Sequence, residues 1–341
     1  MKCRFFKVMA AMVMVFLLAG CGDPIRSSAH GEVNLSGWMA YWDMPSALKE
    51  YKEIQGRMES ICYFAAYFDA DDHLVVPPEV AEAKKQQKKG RQLTYLTIVN
   101  DSDRGEKGKT EKDISVLYHV LGSEASMDEH IQEIISLTKA GGYDGVEIDY
   151  EKFWKDAELK QEFMDFTYRL STETIRNGLK LRIVLEPSAP FDAGFCQGPE
   201  YVVMLYNLYG THSGPGPKAN GDFIQKTIDK MAVLPGKKIA DFSVGGCVWE
   251  GKGPLGIIPG KKRFLTEAEA QQLLKKYGAK ESRDPESACM VFKYEDGGRH
   301  YTVWYADSET LNAWITVAAE RGIDNISLWR LGSNTDIEKV R

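Results

Sequence analysis

Two hydrophobic periods alternate along this chain from residue 35 onward. Short apolar runs predict β-strands at 35–42, 60–68, 92–99, 180–185, 201–206, 238–244 and 325–329, and the third ends at Asn100-Asp101-Ser102, which reads as a turn signal. Between them, apolar residues at three- and four-residue spacing predict helices at 46–57, 79–90, 126–140, 220–231 and 311–321, with a further stripe at Leu159, Phe163, Phe166 and Leu170. An acidic strand ending at Glu151 completes a set of eight strands alternating with helices, the pattern of an α/β chain folded as a (β/α)8 TIM barrel. An open doubly wound sheet is the alternative, but no Gly-rich fingerprint follows the first strand. The alternation breaks between the seventh and eighth strands, at about 250–305. There a helix at 266–277 and two strand-like runs, 288–294 and 300–305, joined through Glu295-Asp296-Gly297-Gly298, predict a small α+β insertion forming one wall of a cleft. Few residues follow Trp329, so a closing eighth helix is expected to be short or absent.

The acidic strand carries the candidate chemistry. Val146, Ile148 and Tyr150 alternate with Glu147, Asp149 and Glu151, so the three acids share one face. An exposed edge strand would carry them harmlessly in water. The preceding stretch argues for a covered, central strand instead: Ser126-Met127-Asp128-Glu129 has the form of a capping box, an apolar stripe follows, and Gly141-Gly142 stops the helix directly before the strand. Carboxylates crowded inside a barrel repel one another and lose hydration, so at least one is expected to keep its proton near neutral pH and serve as a general acid. Asp144, at the strand start, is expected to bond the backbone of the preceding turn. A divalent cation held by Glu147, Asp149 and Glu151 is a further option, although no His accompanies them.

The N-terminus alters where this chemistry is expected to act. Lys2, Arg4 and Lys7 precede an apolar run from Val8 to Leu18, shorter than the ~20 residues a bilayer span needs. Leu18-Ala19-Gly20-Cys21 resembles the bacterial lipoprotein signal, which implies a signal peptide at 1–20, a lipidated Cys21, a tether over 21–34 and an extracytoplasmic, membrane-anchored protein of the cell envelope. Without Lys2, Arg4 and Lys7 the chain has 40 basic and 49 acidic side chains, a net charge of about −9, which gives no reason to expect nucleic acid as a partner. Cys62, Cys196, Cys247 and Cys289 lack metal-ligand spacing, and buried free thiols are expected.

Asp144-Gly-Val-Glu147-Ile-Asp149-Tyr-Glu151 resembles the DxxDxDxE signature of glycoside hydrolase family 18, the chitinases and their relatives. Met204-Leu-Tyr206-Asn207 is similar to that family's Met-x-Tyr-Asp. Ser213-Gly-Pro-Gly-Pro217, Thr302 to Asp307 and Leu328-Trp329-Arg330-Leu331-Gly332 resemble the bacterial branch of spore-cortex-lytic N-acetylglucosaminidases. Two positions depart from the pattern: Glu147 stands for the middle Asp, and Asn207 for the Asp after Tyr206.

The resemblance implies a single glycosidase domain over 35–341, a monomer needing no cofactor, that cleaves β-linked N-acetylglucosamine glycans by substrate-assisted retention. Glu151 would act as acid and base. Asp149 would hold the substrate acetamido N–H and Tyr206 its oxygen, with Glu147 and Asp144 as deeper support. Trp329 would lie beneath the sugar whose bond is cut, and Asn207, Tyr41, Trp304 and Glu186 would contact substrate, Glu186 through a hydroxyl. Asp307 reads as a helix N-cap rather than a site residue. Trp38, Trp42, Trp249 and Tyr305 are further aromatics expected near the mouth, where stacking on sugar competes with simple core filling.

Overall fold

In a computed structural model, residues 33–86, 90–253, 256, 258–332 and 334–341 are described. The expected signal peptide, Cys21 and most of the tether lie outside these residues. Among the described residues, no helix is long and apolar enough to cross a membrane.

Eight strands close into a parallel barrel: Asn34–Ala40, Met58–Phe68, Leu93–Asp103, Gly145–Asp149, Lys180–Leu185, Glu200–Met204, Lys238–Ser243 and Asn325–Trp329. The eighth pairs with the first and the second with the third, so no edge is left open. Helices Met44–Ile54, Pro78–Gln86, Glu124–Ala140, Ala157–Arg176, Gly221–Met231 and Ser308–Glu320 cover the outside, and a 3-10 turn, Ile337–Lys339, stands where an eighth helix would be.

Three local expectations need correction. The third strand does not stop at Val99 but runs to Asp103, because the short strand Lys109–Thr110 pairs with Ser102 and Asp103. A helix absent from the sequence reading, Ile114–Leu121, follows it; Asp113 caps this helix by accepting from Ser115 N, and Val116, Leu117, Val120 and Leu121 are buried. The next helix begins earlier than expected. Its N-cap is Ser123, with Ser126 as the reciprocal third residue of the box, because Gly122 ends the preceding helix directly before it.

The insertion is larger than the predicted hairpin and helix. A five-stranded sheet is built from Gly245–Lys252, Ile258–Leu265, Glu281–Arg283, Met290–Asp296 and Arg299–Ala306, with helix Glu267–Tyr277 packed on it. Only Val244 separates this sheet from the seventh barrel strand, and its amide donates to Trp329 O at 2.8 Å. At the other end, Asp307 alone separates Ala306 from helix Ser308–Glu320 and caps that helix, as expected of it. Gly245 and Ala306 are paired in register.

A Cβ at Gly246 would meet Trp304 O at 1.8 Å, a backbone atom that cannot swing away. Gly246→Ala should therefore pry the sheet at its root and lower the unfolding free energy by about 2 kcal/mol. Urea denaturation checks this, and an unchanged midpoint would refute the close-packing argument.

Candidate functional site

At the C-terminal end of the barrel, a cleft of about 710 Å³ lies between the strand ends and the inserted sheet. Tyr41, Trp42, Asp149, Glu151, Tyr206, Asn207 and Trp329 line it, together with Phe264, Leu265 and Glu269 from the insertion side.

The acidic strand supplies three carboxylates at three depths. Deepest is Glu147, fully buried. Its Oε1 accepts from Trp38 Nε1 at 2.5 Å and Thr97 Oγ1 at 2.7 Å, its Oε2 from Cys62 Sγ at 3.4 Å, and Arg182 Nη1 lies 4.0 Å away. The departure from Asp at this position thus has a use: the longer side chain ties the first, second and third strands to the fourth. Burial raises its pKa, and Arg182 and the three donors pull the other way.

Asp149, one step nearer the cleft, is 5% exposed, and its Oδ1 has no hydrogen-bond partner. Burial pushes its pKa up to about 8; Lys112 opposes this, and Glu151 and Glu147 add to it. The expected protonated carboxyl of the strand is therefore Asp149. Glu151 follows the strand, with its amide donating to Asn100 Oδ1 at 3.0 Å and its carbonyl accepting from Asn100 Nδ2 at 3.2 Å.

Lys112, which sequence reasoning missed, meets both acids. Its ammonium is 2.5 Å from Glu151 Oε1 and 3.7 Å from Asp149 Oδ2. Burial works against the charge, but the fields of Asp149 and Glu151 outweigh it and hold the ammonium above its ordinary range. Asp101 fixes the loop by accepting from Lys112 N at 2.8 Å, at a residue with φ +55°. Asn100-Asp101-Ser102, read as a turn, is thus the scaffold that holds Glu151, Lys112 and Asp113. The ammonium thus lies against two of the three carboxylates considered as donors for a cation. Among the described residues, no group of three His, Cys, Asp or Glu side chains is arranged to hold one.

Three more buried groups had no sequence signal beyond residue type. Arg182 on the fifth strand donates to Glu200 at 2.9 Å, Ser60 at 2.9 Å and Cys62 Sγ at 3.3 Å, and lies over the Tyr95 ring. Asp241 on the seventh strand shares the inward face with Ile239 and the register partner Met204. Burial raises its pKa well above normal, the neighbouring Tyr206 hydroxyl and Lys218 oppose this, and neither carboxylate oxygen has a hydrogen-bond partner of good geometry. Lys218, 7% exposed, lines the cleft after the sixth strand.

Of the remaining expected residues, Tyr206 lies beside Asp241 and Asp149, and burial raises its pKa. Asn207 adopts φ +67°, a left-handed conformation that Asn tolerates well, so its departure from Asp falls at a turn. Trp329 packs edge-on against Phe64, Trp38 and Trp42 at centroid distances of 4.7, 5.8 and 6.5 Å. Asp144 bonds not the preceding turn but the neighbouring third strand, accepting from Thr94 N and Oγ1 at 2.8 and 2.9 Å.

Glu186 is not a cleft-lining residue. It accepts from Lys152 N at 2.9 Å, fixing the positive-φ residue directly after Glu151. Trp304 is also absent from the cleft, because strand alternation buries Val303 and Tyr305 in the insertion's own core and turns Trp304 toward the main core. Trp249 is buried, donating to Gly210 O and Ser213 O at 3.1 Å each. The four cysteines of the described chain are free, with Cys196 partly exposed.

Asp149 carries a stability consequence. Its folded pKa of about 8 lies above the ordinary 3.8, so the native state binds the extra proton and stability is lost as pH rises through that window. Asp149→Asn should gain stability relative to the parent between pH 5 and pH 8 in urea denaturation. A gap that does not change with pH would contradict the raised pKa.

Comparison with known proteins places this chain in a family. The chain is 23% identical over 265 residues to the uncharacterized glycosylase YvbX of Bacillus subtilis, covering 73% of this chain and 74% of that protein. It is 22% identical over 293 residues to a cortical fragment-lytic enzyme of Bacillus anthracis, covering 80% of this chain but only 64% of the relative's length. The crystal structure of a chitinase from Chromobacterium violaceum superposes with a TM-score of 0.75 at 17% identity, covering 90% of this chain and 96% of that one. The Bacillus cereus spore cortex-lytic enzyme SleL does so at 0.73 and 17%, covering 90% and 72%. Residues 64–334 match the sequence profile described as glycosyl hydrolases family 18. The chain therefore belongs to glycosyl hydrolases family 18 and is a glycosidase acting on a glycan.

Proposed function

We propose that the protein hydrolyses β-linked N-acetylglucosamine glycans by substrate-assisted retention. The observation that carries this reading is the unpartnered Oδ1 of Asp149, buried beside Glu151 in a cleft lined by Trp329 and Tyr206. An acetamido N–H entering there would find an acceptor that the protein itself leaves unsatisfied. The proton held by Asp149 passes to Glu151, which delivers it to the leaving oxygen as the substrate's acetamido oxygen attacks the anomeric carbon; Glu151 then takes a proton from water as the oxazolinium is opened. Tyr206 holds the acetamido oxygen during attack, a contact that strengthens as charge develops. Lys112 stabilises Glu151 in the carboxylate form left after that proton is delivered.

Peptidoglycan and its fragments are the preferred substrate class, in keeping with relatives named for spore-cortex lysis, and chitin-type oligomers come next. The envelope location follows from Cys21: a lipid there would tether a monomeric barrel to a bacterial membrane. A second reading, a glycan-binding lipoprotein without turnover, is favoured by one observation, the Lys112 ammonium already paired with Glu151 at 2.5 Å.

Glu151→Gln should cut release from a chromogenic β-N-acetylglucosaminide by about a thousandfold with an unchanged circular dichroism spectrum. Comparable turnover in this variant would overturn the assignment, and glycan binding without turnover in the parent would favour the second reading. For the anchor, Cys21→Ala should abolish incorporation of labelled fatty acid in cells, and persistent labelling would remove the lipoprotein proposal.

A further inference from the structure

Four cations line the cleft: Lys109, Lys112, Lys218 and Arg330. Three are already matched. Lys109 lies 3.1 Å from Asp103, Lys112 is 2.5 Å from Glu151, and Arg330 is 2.7 Å from Asp43. Lys218 is different. It is the most deeply buried of the four, yet among the described residues it makes no ion pair; its ammonium lies over the Phe264 ring at 4.5 Å and the Tyr206 ring at 5.7 Å.

The chain invests structure in this arrangement. Lys218 follows the Gly-Pro-Gly-Pro segment, and its carbonyl accepts from Leu208 N at 2.9 Å, closing a loop that begins just after Tyr206. Asp241 and Cys247 are the groups whose fields favour the charge, but burial outweighs them and lowers the Lys218 pKa. Asp241 is a poor counterion, since its own burial favours the neutral acid. A buried ammonium without a counterion is costly in a free protein, and a ligand that brings a negative charge recovers that cost.

We propose that Lys218 is a specificity-determining residue that receives a carboxylate borne by the glycan. The proposal rests on the glycan-hydrolase reading and narrows it: the preferred substrates are acidic amino-sugar polymers, in which a carboxylate hangs from a ring as a lactyl ether or as an oxidised C6, rather than neutral chitin-type chains. The two aromatic rings beneath the ammonium shield the contact from water and strengthen it. Lys112 does not compete for the role, because its ammonium is committed to Glu151 and Asp149.

The test is equilibrium binding by calorimetry on the Glu151→Gln protein, which removes turnover from the measurement. Four oligosaccharides of equal length are compared: one with lactyl-ether carboxylates, its methyl ester, one with C6 carboxylates, and the neutral N-acetylglucosamine oligomer. One acid should bind about tenfold more tightly than its uncharged counterpart, and which acid does so identifies the source of the carboxylate. Adding Lys218→Met should bring that ratio close to one, while Lys218→Arg should keep most of it; melting curves control for folding. Equal binding of acid and uncharged forms, or a preference that survives Lys218→Met, would overturn the proposal. If the neutral oligomer binds as well as the acids, the glycan-hydrolase reading stands and only Lys218's role falls. If none of the four binds, both fall together.

Discussion

The interior of this closed barrel is shielded from bulk solvent, and the placement of ionisable groups follows from that constraint. Glu147, Asp149, Asp241 and Arg182 all point into a space where an unpaired charge is expensive. The response is graded along the barrel axis. At the bottom, Arg182 and Glu147 are bonded to neighbouring strands on every side. At the cleft end, Asp149 keeps one oxygen without a partner and holds its proton. The bonded charges of Glu147 and Arg182 tie the strands together, and the unpartnered Asp149 oxygen leaves valence for a ligand.

The same gradient explains the two departures from the family pattern. Glu147 uses its extra methylene in the saturated region, reaching Trp38 and Thr97 at once. Asn207 lies beyond the last strand residue at a left-handed turn, where backbone conformation outweighs charge. Each substitution answers a local demand, and the pair formed by Asp149 and Glu151 is left in place.

Much of the architecture was legible because the barrel repeats one pattern that hydrophobic period reports well; Lys180–Leu185 and Asn325–Trp329 coincide with the expected strands. The acidic strand was legible for the same reason, since alternation put Glu147 and Asp149 on one face. What escaped depended on long-range contact. Nothing near Lys112 in sequence shows that its loop folds back over Glu151, and Asn100 and Asp101 look like ordinary turn residues until their partners are known. Arg182 and Asp241 are single charged residues in strands, informative only once closure of the barrel makes them interior. Trp304 and Glu186 show the opposite case: residue type suggested sugar contact, while the structure places Trp304 against the main core and Glu186 on the Lys152 amide, outside the cleft lining. Helix Ile114–Leu121 is the one miss whose signal was present, an Asp113 cap before an apolar stripe.

The inserted sheet enters the barrel after Val244 and leaves it before Asp307, and its first and last residues, Gly245 and Ala306, are paired neighbours. The wall of the cleft is therefore a loop closed at its own base. Such a module can lengthen, shorten or change its far strands without shifting the register of any barrel strand. Each of its joints is a single residue tied by hydrogen bonds to the barrel or its helix. A glycan entering the slot meets a wall whose joints are already ordered by folding, so less ordering entropy is left to lose on binding.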